Sequence, residues 1–180
     1  MTIRTSRLTL VPVTLPLVDA ALAGNAALHA VLGVRVPESW PHEFLDTDAW
    51  NWLRERMPAS GDSGWWFYFA IARDDAGDHL VGSCGYKGPP DDDATVEIGY
   101  GMVPEQRLQG YASEMADALV ARAFAVSDVR RVIAETMPEL VGSIGVLRRC
   151  GFTQVDGASE PGAIRFGVTR ARFEARARVT

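Results

Sequence analysis

The chain has 180 residues, 47% of them hydrophobic, with a net charge of −5 and a sequence pI near 5.2. That acidity excludes a general nucleic-acid binder, because no broad basic face can be built to meet phosphate backbones, while the length and apolar content suit a single compact domain over residues 1–180. No segment approaches the ~18 consecutive apolar residues of a membrane span, and Cys84 and Cys150 are too few for a disulfide framework or a zinc site, so reduced thiols in the cytoplasm are the simplest account.

Arg4 and Arg7 precede an apolar stretch, and Ala21-Leu22-Ala23 mimics a leader cleavage site. Pro12, Pro16 and Asp19 interrupt that stretch, however, and Leu8, Leu10 and Pro12 alternate with Thr9, Val11 and Val13, so the spacing predicts a strand over Leu8–Val13. Thr14 then caps a helix whose first turn accepts Pro16, and Gly24 and Gly33 punctuate two short helices. A proline-rich connection, VPESWPHEFLDTDAW, leads to a helix capped by Asp46 or Thr47, with Trp50, Leu53 and Met57 on one face and PASGDSG as its end. Three β-rich runs follow, Trp66–Arg73, Leu80–Lys87 and Thr95–Val103, with turn-rich DDAGDH and GPPDDDA between them. With no intervening helix they read as an antiparallel meander.

Next, Met115, Leu119, Arg122 or Ala123, and Val126 mark a helix, Arg131–Thr136 a strand, and Leu140, Ile144 and Leu147 a second helix stopped by Gly151 in a left-handed cap. Strand, helix, strand implies a right-handed crossover and parallel pairing of Thr95–Val103 with Arg131–Thr136. Short strands near Phe152–Val155 and Ile164–Val168 complete the sheet.

The join between the last meander strand and the first of these helices, PEQRLQGYASEM, has no acidic residue from Gln106 to Ser113. A helix starting near Gln109 or Gly110 leaves its first amides without intrahelical partners, and their partial positive charge suits a phosphate. Gly110 allows close backbone approach, Ala112 adds little bulk and Arg107 can supply a full charge. An ordinary strand-to-helix turn with a surface arginine fits the same residues. A P-loop needs Lys-Ser or Lys-Thr after its last glycine, and a nucleophile elbow needs glycine two places either side of serine; both are missing.

The Arg107-x-x-Gly110-x-Ala112 pattern, opening a helix after a strand that carries VEIGY, resembles the acetyl-CoA-binding motif of the GNAT acetyltransferase superfamily. TSRLTLVPV resembles the opening strand of the branch containing the ribosomal-protein N-terminal acetyltransferases, and PELVGSIGVLRRCGF resembles its second CoA-side helix. The resemblance spans nearly the whole chain. It implies an α/β fold: a mixed, largely antiparallel sheet of about seven strands, splayed at the centre, with helices on both faces. It also implies acetyl-CoA as cosubstrate and no metal. By matching positions, Met102 and Val103 would line the pantetheine arm, and the amides of Arg107, Leu108, Gln109, Gly110, Tyr111, Ala112 and Ser113 would hold the pyrophosphate. Leu140 stands where relatives often carry Asn, which removes a polar contact to CoA, and Gly142 and Gly145 weaken that helix by up to ~1 kcal/mol each.

Transfer to an amine needs a neutral nucleophile, so a base helps. Glu97 in VEIGY is the leading candidate, directly or through a water, against a cross-strand surface charge as its other reading; Asp156 is a weaker one. A backbone amide near Met102 would face the oxyanion, and Ser143 occupies the position from which relatives protonate the leaving thiolate. Cys150 falls at the unfavourable end of its helix for a thiolate, and His29, His42 and His79 lie in helical or loop positions without metal spacing. Trp40, Trp50, Trp52, Trp65 and Trp66 supply core anchors, and Trp40 with ESWPHEF is a candidate wall of an acceptor groove. The expected partner is a peptide N-terminus or a small amine such as a polyamine or an antibiotic amine, in a monomer or a homodimer, with no nucleic acid and no membrane. A CoA-binding regulatory module without turnover is the alternative from another class.

Overall fold

The computed structural model describes residues 1–60 and 64–178. The chain forms two compact units, one from Met1–Gly85 with Tyr100–Met115, the other from Tyr86–Gly99 with the residues from Ala116 onward.

In the first unit, β1 (Ile3–Arg4) pairs with β2 (Leu8–Pro12), β2 with β3 (Phe67–Asp74) and β3 with β4 (Gly77–Tyr86), all antiparallel. Residues alternating along β2 put Leu8 and Leu10 inside, as the spacing predicts. Helices α1 (Leu15–Ala23) and α2 (Asn25–Leu32) follow, with Thr14 at the first N-cap, Pro16 in the first turn and Gly24 and Gly33 at the ends. Gly33 takes φ +75° and donates its amide to the His29 carbonyl, a left-handed stop that a Cβ would strain. The cap of α3 (Thr47–Ser60) is Asp46, whose Oδ1 accepts the Ala49 amide at 2.9 Å. PASGDSG does not end α3 at its first residue: the helix passes Pro58 and runs to Ser60, and 61–63 lie outside the described residues. Val18, Leu28, Trp40, Trp50, Leu53, Phe69 and Leu80 form the core of this unit. Here the tryptophans act as anchors: Trp40 packs 5.6 Å from Phe69 and 6.5 Å from Trp50, ring centre to ring centre.

The second unit holds the parallel pair. β5 (Thr95–Met102) meets β6 (Arg131–Thr136) in parallel at Thr95, Val96 and Glu97, and there the ladder stops. The rest of β6 pairs with β8 (Ile164–Thr169), which also pairs with β7 (Thr153–Val155), both antiparallel. α4 (Tyr111–Phe124) connects the parallel strands and buries Met115, Leu119 and Ala123; Val126 lies beyond its end and is exposed. α5 (Val141–Arg149) closes in a full left-handed stop. Gly151, at φ +86°, donates to Arg148 O and Phe152 to Leu147 O, at 3.1 and 3.0 Å. α6 (Arg170–Ala177) is capped by the Thr169 side chain.

β4 and β5 are antiparallel neighbours: Val103 N–H donates to Val81 O in the first unit and Lys87 N–H to Glu97 O in the second. The strand order is β1-β2-β3-β4-β5-β6-β8-β7. This is the mixed, largely antiparallel sheet expected, with eight strands where about seven were counted, the addition being the two-residue β1. The β3–β4 turn is also tighter than DDAGDH suggested. Asp74 pairs with Gly77 across it, so His79 lies on β4 and not in a loop.

Candidate active site

A single turn of 3-10 helix (Pro104–Gln106) follows β5, and an exposed loop, Arg107–Gly110, then opens α4. Leu108 holds φ +62° and Gly110 φ +84°. Left-handed residues in a short loop let successive N–H groups face one side, which is what an anion requires. The Arg107 amide is taken up by Pro104 O at 3.2 Å. Among the described residues, the amides of Leu108, Gln109, Gly110, Tyr111 and Ala112 donate to no carbonyl of the chain. Ser113 is buried on the first turn, whereas Leu108 is fully exposed. Open main-chain donors at a helix start, beside a glycine with positive φ, fit a diphosphate.

The side chains around this seat are mostly paired with each other. Arg107 binds both oxygens of Glu43 and donates Nη2 to Met102 O at 3.3 Å, so its charge is already shared. Arg7, which the sequence did not single out, donates Nη1 to Gln109 O at 2.9 Å, lies 4.6 Å over the Tyr111 ring and pairs with Glu114 at 2.8 Å. Burial pushes the Glu114 carboxyl up, but hydrogen bonds from Thr5, the Arg7 amide and guanidinium, and Ser6 outweigh it and hold it below the usual carboxylate range. Met102 and Val103 are buried at the end of β5.

His42 is also buried beside this strand end. Its Nε2 lies 2.7 Å from Ser83 Oγ, and its ring fills the place where Gly101 would carry a Cβ. Desolvation lowers its pKa to about 4, with Glu43 opposing and Arg107 adding to the shift, so the imidazole is neutral near pH 7. Trp40, 4% exposed, belongs to the core and does not wall an open groove; of the ESWPHEF aromatics only Phe44 is exposed.

Glu97 sits at the last paired residue of the parallel strands, where β5 leaves β6. Its Oε1 is 2.5 Å from Lys87 Nζ, and its side chain is 18% exposed. A cross-strand ion pair thus engages one oxygen of the carboxylate offered as a base. Ser143 lies in the first turn of α5, half-buried. Leu140 occupies the N-cap of that helix, and its side chain makes no cap bond. Asp156 is exposed just past β7. Cys84 and Cys150 are buried and reduced; burial, ahead of Asp117, pushes the Cys150 thiol up to about 12 and burial raises Cys84 as well, so neither offers a thiolate. Among the described residues, no group of three or more His, Cys, Asp or Glu could hold a metal ion, and no helix is long and apolar enough to cross a membrane.

The profile of the acetyltransferase (GNAT) domain matches residues 7–153. The chain belongs to the GNAT acetyltransferase family. As a GNAT acetyltransferase it is 29% identical, over 152 residues, to the uncharacterized N-acetyltransferase YjdG of Bacillus subtilis (strain 168), covering 83% of this chain and 88% of that protein. Its fold is shared with an acetyltransferase from Agrobacterium tumefaciens str. C58, at 20% identity, TM-score 0.65 and coverage of 94% and 95% of the two chains. It is shared equally with RimL, a ribosomal L7/L12 alpha-N-protein acetyltransferase solved with coenzyme A, at 17% identity, TM-score 0.65 and coverage of 94% and 98%. Acetyl transfer to amines is general for GNAT enzymes, so the loop and the Glu97 fork lie in an acetyltransferase.

Proposed function

We propose that this GNAT enzyme moves an acetyl group from acetyl-CoA to the amine of a protein N-terminus or a small molecule by direct transfer in a ternary complex. Residues 1–180 act in this reading as one catalytic domain, in the cytoplasm. The observation that carries it is the Leu108–Ala112 main chain, exposed through Gly110, with its N–H groups donating to no carbonyl of the chain among the described residues and positive φ at Leu108 and Gly110.

When bound, acetyl-CoA supplies an acetyl group activated as a thioester. The amides of Leu108–Ser113, with Arg107 beside them, hold its diphosphate, and buried Met102 and Val103 line its arm. Glu97 takes the proton of the attacking amine, directly or through one water. Ser143 passes its hydroxyl proton to the departing thiolate while taking one from water, and Glu97 returns the amine's proton to solvent; the Ser143 contribution is modest because the leaving thiol's pKa, about 8.5, is low. Buried, neutral cysteines support direct transfer over an acetyl-enzyme.

Glu97→Gln is expected to lower kcat about a hundredfold, the small end of general-base effects, while CoA affinity stays within about twofold because the diphosphate seat is untouched. Steady-state kinetics and calorimetry on one preparation check both; unchanged kcat places the base elsewhere. The Glu97–Lys87 pair also favours a second reading, a CoA-binding regulatory module without turnover. Thiol release measured across a panel of peptides and amines separates the two: CoA binding with no release from any acceptor supports the module.

A further inference from the structure

We propose that Arg7 is a positioning residue for the donor's diphosphate: by holding the Gln109 carbonyl it aims the Gly110 amide into the anion seat. The inference rests on the acetyl-CoA reading above and adds the device that keeps the seat open.

The first step is peptide geometry. In a trans peptide the C=O and the following N–H point in opposite directions, and the peptide joining Gln109 and Gly110 is trans. Arg7 Nη1 donates to Gln109 O at 2.9 Å, so the Gly110 N–H of that same plane is turned away from Arg7, and among the described residues it donates to no carbonyl of the chain. The second step is strain. Leu108 sits at φ +62°, which costs a non-glycine residue about 1 kcal/mol or more, and being fully exposed it gains nothing from packing to offset this. Something else must hold the loop: Arg107 is tied to Glu43 and Met102 O at its start, Glu114 N–H donates to Gly110 O at its end, and between them the grips are Arg7 on Gln109 O at 2.9 Å and the Gln109 side chain on Glu105 O and Gln106 Oε1 at 3.3 and 3.1 Å.

Arg7 is itself immobilised. Its Nε and Nη2 both reach Glu114 Oε2 at 2.8 Å, and its guanidinium lies over the Tyr111 ring. Glu114 Oε1 is fixed in turn by Thr5 Oγ1 at 2.5 Å, Ser6 Oγ at 3.0 Å and the Arg7 amide at 2.8 Å. The TSR segment is thus buckled onto the first turn of α4. The pair carries no net charge, so Arg7 acts mainly through geometry; it also cancels a carboxylate that would otherwise face the phosphates from within the same turn.

The test compares two donors. Acetyl-CoA uses the seat, whereas S-acetyl-N-acetylcysteamine, a short thioester, has no diphosphate to place there. Arg7→Ala is expected to raise the KM for acetyl-CoA and the calorimetric CoA dissociation constant about tenfold, with kcat at saturation changed less than about twofold. Efficiency with the short donor should fall less than about twofold, because nothing in it meets the loop. Arg7→Lys, which keeps the charge but cannot bind Gln109 O and Glu114 together, is expected to recover only part of the loss. Equal losses with both donors, or full recovery in Arg7→Lys, would overturn the geometric role; so would unchanged CoA affinity in folded Arg7→Ala. Should Arg7→Ala not fold, the Arg7→Lys comparison decides by the same donor ratio. Wild-type protein that binds no CoA would sink the acetyl-CoA reading itself, an outcome distinct from failure of Arg7 alone.

Discussion

Gly110→Glu is expected to raise the CoA dissociation constant at least about a hundredfold, some 2.7 kcal/mol, while the protein still folds. Two effects combine there. A side chain at φ +84° costs about 1 kcal/mol wherever it points, and a carboxylate on the loop puts like charge where the diphosphate binds. Gly110→Ala separates them, because its Cβ would meet only Arg7 Nη2, 3.3 Å away, a contact relieved by a shift of a few tenths of an ångström that leaves the Arg7 hydrogen bonds in place. Both variants should lose a similar few degrees in thermal melting, and only the glutamate should lose CoA in calorimetry. Equal CoA affinity in Gly110→Glu and wild type would show that the ligand does not touch this loop.

Gly101→Ala is expected to cost about 3 kcal/mol of stability, in the upper range for overpacking a core, or roughly 6–12 °C in Tm for a chain of this size. A Cβ on Gly101 would fall well inside contact distance of the His42 ring. The ring has no room to retreat: it is 5% exposed, hydrogen-bonded to Ser83 and set edge-on to Trp40 at 5.6 Å. Removing that ring should therefore help, so His42→Ala in the Gly101→Ala background should restore part of the loss although His42→Ala alone destabilises. A denaturation series on the four proteins measures this coupling. Independent, additive effects would mean that the ring and the strand do not compete for the same space.

Most of the element order is visible in the sequence because its signals are local. Gly24, Gly33 and Gly151 stop helices where a left-handed or otherwise positive φ is needed, and the buried faces of β2 and α4 repeat every two and every three to four residues. What escaped was short or polar. β1 is two residues long, and α6, RARFEARA, has too little apolar character for a periodic stripe, although Thr169 stands before it as a cap. The proposed anion seat was visible as a strand, a glycine and a helix start, but its surroundings were not. Arg7 meets Gln109 and Glu114 from more than 100 positions away, Glu43 meets Arg107 from 64, and His42 fills the space beside Gly101. Only the folded chain brings such pairs together. In the same way Glu97 was identifiable as a carboxylate on β5, but not its contact with Lys87.

The central claim is that main-chain nitrogens at the start of α4 grip the diphosphate. Titrating 15N-labelled protein with CoA and following the backbone amides tests it most directly. The account predicts the largest shifts at Leu108, Gln109, Gly110, Tyr111 and Ala112, saturating with the calorimetric affinity. Saturable CoA binding that leaves those five resonances in place would contradict it.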